Sequence, residues 1–150
     1  MSIDVIVAYL HYLSFMLCFA ALTLEAFTLK PELNIKDAWK IVIADAVYGI
    51  AAVTVLITGI LRVIYFGKGT TYYLHHPFFY IKVAVFLLVG LLSIYPTISF
   101  LNWLKDLQKN QTPQLELKKV KLLLWLIRAE LFSFLFIPLF AAIMARVNYS

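Results

Sequence analysis

The sequence predicts an all-α integral membrane protein folded as an antiparallel four-helix bundle, and three observations lead there. Of its 150 residues, 63% are hydrophobic and 14% charged, whereas a soluble domain has about 45–50% and about 25%. The mean hydropathy is +0.90. Four apolar runs, about 3–28, 38–66, 77–104 and 115–145, are separated by short polar connectors. Each exceeds the roughly 20 residues that cross about 30 Å of hydrocarbon as a helix. These spans fill the chain 1–150 as one four-span domain, with no room for a second, aqueous one.

The first span, Ile3 to Thr28, is Val, Ile, Leu, Phe, Met and Ala interrupted by His11, Ser14, Cys18 and Glu25. Steps of three, four and seven residues return to one helical face, so these four form a polar stripe that a bilayer helix must turn inward. The opening Met-Ser-Ile-Asp lacks the basic region of a signal peptide, and the run is expected to remain as an anchor. Lys30, Pro31, Glu32, Asn34 and Lys36 form the first connector, with Asp37 expected to cap the second helix. Gly49, Ala52 and Gly59 give that helix a smooth face for a neighbour, and Gly67-Lys68-Gly69 should end it. His75-His76-Pro77 opens the third helix, proline suiting the first turn, with both histidines expected in water. Thr112-Pro113 reads as cap and first turn of the fourth. Pro96 and Pro138 each remove a helical hydrogen bond and are expected to kink their spans.

Lys30, Lys36, Lys40, Lys105, Lys109, Lys118, Lys119 and Lys121 fall on one side of the membrane, Lys68 and Arg146 on the other. The lysine-rich side is therefore expected to be cytoplasmic, with both termini periplasmic in a bacterial inner membrane. Trp39, Trp103 and Trp125 should gather at the lysine-rich boundary, and Tyr9, Tyr65, Tyr72, Tyr73, Tyr80 and Tyr149 at the other. The net charge of +5 is accounted for by anionic headgroups, so the expected partner is the lipid bilayer and not nucleic acid. The single cysteine, Cys18, excludes a disulfide framework and a paired-cysteine metal motif. Small-residue faces and kinked spans suggest a homo-oligomer.

Seven ionisable groups lie within the spans: His11, Glu25, Asp45, Arg62, Lys82, Arg128 and Glu130. A charge at a helix centre costs about 2.5–3.5 kcal/mol on insertion scales, so they must meet one another. A rise of about 1.5 Å per residue sorts them into two layers. Glu25, Asp45, Arg128 and Glu130 lie roughly 7–14 Å in from the lysine-rich side; His11, Arg62 and Lys82 approach from the opposite one. In the first layer Arg128 is expected to balance part of the acid charge. Three carboxylates on three helices could then ligate a divalent ion, iron, manganese or zinc, with oxygen-loving ions favoured in the absence of a nearby histidine. His11 is a separate candidate ligand, because about 21 Å along the axis keeps it from sharing one ion with Glu25. In the second layer His11, Lys82 and Arg62 could surround an aromatic-rich cavity for an anionic or planar molecule, including a haem ligated by His11.

Tyr9-Leu10-His11, the terminal Glu25, Asp45 followed by Tyr48-Gly49, Arg62, Gly67-Lys68-Gly69, Phe78-Phe79-Tyr80-Ile81-Lys82 and Ser93-Ile94-Tyr95-Pro96-Thr97 together resemble an uncharacterised family of four-span bacterial inner-membrane proteins. The likeness covers nearly the whole chain and implies a fold and a location, but no activity. More distantly the chain is similar to membrane haem-b protoporphyrinogen oxidases and copper-resistance membrane domains, with His11 and Lys82 at the matching positions; that likeness implies haem b. Three functions are therefore expected to compete. The leading one is a divalent-metal-binding, largely non-enzymatic protein of envelope homeostasis using Glu25, Asp45 and Glu130. The second is a haem-b oxidoreductase or electron carrier using His11 and Lys82, and the third a proton-coupled transporter subunit.

Overall fold

The computed structural model describes residues 1–147. Four helices are long and apolar enough to cross a membrane: α1 (Ile3–Thr28), α2 (Ile35–Leu61), α4 (Pro77–Asn102) and α6 (Leu117–Arg146). Two short helices, α3 (Thr70–Leu74) and α5 (Leu104–Gln108), lie in the connectors. No strand occurs among the described residues. The helix order up, down, up, down leaves both chain ends at one end of the bundle, the termini end, and the lysine-bearing connectors at the other, the lysine end.

α1 packs mainly against α2 and α4 mainly against α6, with α1 against α6 joining the two pairs. Most of the core cluster sits toward the lysine end, where Leu22, Ile41, Leu123 and Ile127 are fully buried together with Leu29, Leu33 and Leu107 from the connectors. Lipid tails are as apolar as leucine, so close packing and not water expulsion holds such helices together. Ala21, Ala38, Ala44 and Ala51 are buried in that cluster, small side chains that permit close approach.

Several boundaries move from their expected places. α2 begins at Ile35, three residues before position 38, because Asn34 and not Asp37 is its cap: the Asn34 side chain accepts from the Asp37 amide at 2.7 Å. The Asp37 carboxylate is instead shared by Lys30 and Lys40 at 3.5 and 3.7 Å. α6 starts at Leu117 after an extended Glu116, so Thr112-Pro113 is connector and not a helix start. α4 ends at Asn102, and part of the stretch expected as loop coils again as α5. Pro77 does open α4 behind His76, yet His76 is buried and its Nε2 bonds the Val147 carbonyl at 2.9 Å; only His75 is exposed. Trp103, at the lysine end, is buried against the core. Gly49 faces outward with nothing near it, so the smooth face expected along α2 is not one packing surface. Tyr149 lies outside the described residues.

Beyond Leu61 the α2 backbone widens into a π-helical turn, Arg62–Phe66. Gly67 ends it, and a Cβ there would collide with the Arg62 carbonyl and the Tyr73 hydroxyl. The close approach brings α3 back over the termini end. The Tyr72 hydroxyl then ties α3 to the Met144 carbonyl near the end of α6.

Candidate functional site

The polar stripe of α1 does turn inward: Ser14, Cys18 and Glu25 are buried and His11 is half-buried. Its two ends enter different surroundings. At the lysine end, Glu25 from α1, Asp45 from α2 and Glu130 from α6 are buried at 0%, 7% and 1% exposure, and their carboxyls act on one another electrostatically. Asp45 faces Glu25 and Thr97, and Tyr48 faces Glu130 and Ser93, at hydrogen-bonding range. None of the four oxygens of Glu25 and Glu130 has a partner of good geometry.

Arg128, expected to balance these acids, does not reach them. Two residues from Glu130 on a helix of 3.6 residues per turn, it points about 160° away, and it is exposed. Among the described residues, only Lys30 and Lys40 form ion pairs, both with Asp37. No group of three or more His, Cys, Asp or Glu side chains among the described residues is placed to hold a metal ion. The layer is thus three mutually facing acids without a basic partner.

At the termini end all four spans and α3 line a half-open cavity of about 630 Å³, within the roughly 300–1,000 Å³ typical of small-molecule and cofactor sites. His11, Arg62, Lys68 and Lys82 line it among apolar walls that include Phe15 and Phe86. Arg62 and Lys82 both act electrostatically on His11, and Arg62 on Lys82. The cations rest on rings: Arg62 over Tyr12 at 5.1 Å, Lys68 over Tyr72 at 4.9 Å and Lys82 over Phe79 at 6.0 Å. No carboxylate among the described residues forms an ion pair with any of the three. Lys82 is half-buried and stays on the cavity wall.

The hydrogen bonds around His11 assign its tautomer. Its Nδ1 is 2.9 Å from Thr58 Oγ1. The Thr58 hydroxyl has one proton, directed at the Thr54 carbonyl at 2.6 Å, with the Val55 carbonyl at 3.2 Å. With that proton on the Thr54 carbonyl the oxygen accepts from the ring, which places the hydrogen on Nδ1 and the lone pair on Nε2. The Val55 carbonyl is a further acceptor for the ring. Gly59 makes the fit possible, because a Cβ there would stand 3.3 Å from His11 Cε1. A neutral imidazole anchored through one nitrogen is the form in which histidine binds metals.

Sequence reasoning placed His11, Arg62 and Lys82 in one layer but missed Lys68, Thr58 and the roof formed by α3. Thr54 and Thr58 are one helical turn apart, and Gly59 adjoins them; that spacing was the available signal. No curated protein and no solved structure matches the chain. Residues 3–147 match the family described as "Predicted membrane protein (DUF2214)", and the chain belongs to that family.

Proposed function

We propose that this multi-pass membrane protein binds haem b in the cavity at the termini end. His11 Nε2 would hold the iron, and Arg62, Lys68 and Lys82 would meet the carboxylates of the macrocycle. The observation that carries the reading is the fixed His11 tautomer on a cavity whose three cations have no acid partner among the described residues. Haem would supply one-electron chemistry. The chain's own residues supply the rest: Thr58 orients the imidazole, the cations attract the carboxylates, and the apolar walls exclude water. Protein purified in mild detergent should show a Soret band or take up added haem with one-to-one stoichiometry, and His11→Ala should lose both. A colourless wild type that takes up no haem overturns the reading.

A second reading concerns the acid layer. Three buried carboxyls with no basic partner require positive charge, as protons or as a cation; their present spacing is not that of a metal site, so a divalent ion would draw the oxygens of Glu25 and Glu130 together. Elemental analysis tests it. A stoichiometric metal lost in Glu25→Gln, Asp45→Asn and Glu130→Gln supports the ion; metal-free wild type leaves protons as the counter-charge.

We read the lysine end as cytoplasmic, which puts the cavity in the periplasmic half of an inner membrane. A Ser2→Cys variant should then react with an impermeant thiol reagent from outside intact spheroplasts, while the buried Cys18 stays silent.

A further inference from the structure

We infer that the face of α6 carrying Lys118, Lys121, Trp125 and Arg128 is a binding site for the headgroup of an anionic phospholipid. Steps of three, four and three residues bring these four side chains within about 80° of one another around the helix. All four are exposed, Trp125 at 64%. α6 has 30 residues, about 45 Å of helix against about 30 Å of hydrocarbon, so its first turns project beyond the tails. Arg128 sits about 10 Å deeper than Lys121, in the region where an unsatisfied arginine is costly. Side chains on a helix lean toward its N-terminus, here the lysine end. That lean directs Arg128 toward the Lys121 end, so a phosphate drawn down between them would meet both cations while the indole takes its usual headgroup-level place.

The acids of the chain decide between a lipid and a second copy as the occupant. Within the spans, Glu25, Asp45 and Glu130 are buried and Asp4 lies at the opposite end. Among the described residues another copy offers no exposed acid at the depth of Arg128, whereas an anionic leaflet offers phosphates along the whole face.

The test is lipid retention by full-length protein equilibrated with equal amounts of phosphatidylglycerol and phosphatidylcholine, read by native mass spectrometry. Wild type should retain phosphatidylglycerol in several-fold preference. Arg128→Gln and Lys121→Gln should each reduce that preference about five-fold, and Arg146→Gln, the same charge loss at the other end of α6, should leave it unchanged. Equal retention of the two lipids by wild type overturns the proposal, as does an unaltered preference in Arg128→Gln. So does a loss of oligomers in Arg128→Gln with lipid preference intact, which would make a second copy the occupant.

Discussion

The two ends of the bundle are polar in opposite senses, and they are built differently. At the lysine end three acids are enclosed by tightly packed leucine, isoleucine and alanine, with connectors folded over them. At the termini end three cations and a histidine line an open volume of about 630 Å³. Both layers lack oppositely charged side chains, but only one has room for a molecule to supply the missing charge. A cavity with unmatched cations suits an anionic guest. A sealed cluster of acids can meet its deficit only with something as small as a proton or a metal ion.

Five substitutions would sharpen or break this contrast, and the largest effect is expected at His11. His11→Ala should abolish haem uptake entirely while Glu25→Gln leaves the Soret band intact; if Glu25→Gln also bleached the protein, the two ends would not be separate. Next is Thr58→Val, which removes the acceptor that fixes the His11 tautomer and should weaken haem affinity about 10–100-fold, measured by titration. Replacing an enclosed acid should act in the opposite direction. Glu130→Leu is expected to stabilise the bundle by about 1–4 kcal/mol, since buried charge replaced by well-packed apolar atoms is often a gain. A raised thermal midpoint in detergent would show it, and a lowered midpoint together with loss of a stoichiometric metal would mean that the layer holds a bound cation. The smallest effect belongs to Gly59→Ala. Its added methyl would stand 3.3 Å from His11 Cε1, so the ring must give by a few tenths of an ångström, and haem affinity should fall a few-fold with stability unchanged.

How far the site was legible in the sequence differs between these same two ends. The acids were found because glutamate and aspartate stand out in apolar helices, and their shared depth follows from the helical rise. Arg128 was assigned to them by depth alone. Depth cannot report the angle around the helix at which two neighbours meet, and Arg128 faces away from Glu130. At the other end, Lys68 reaches the cavity only because the π-helical turn and Gly67 fold α3 back over the bundle. No hydrophobic periodicity records a widened turn of this kind. Thr58 was overlooked because a threonine in a span usually bonds its own preceding carbonyl; this one does so as well, and that bond is what commits its oxygen to His11.

By itself the sequence determined the number of spans, their antiparallel order, the inward stripe of α1 and the separation of charge into two layers. These follow from hydrophobic length, helical period and the cost of charge in hydrocarbon, all local properties. Only the tertiary structure decided which charges meet. It seals Glu25, Asp45 and Glu130 together without a base, turns Arg128 outward, and leaves space beside His11, because helix rotation and packing arise between segments and are written in none of them alone.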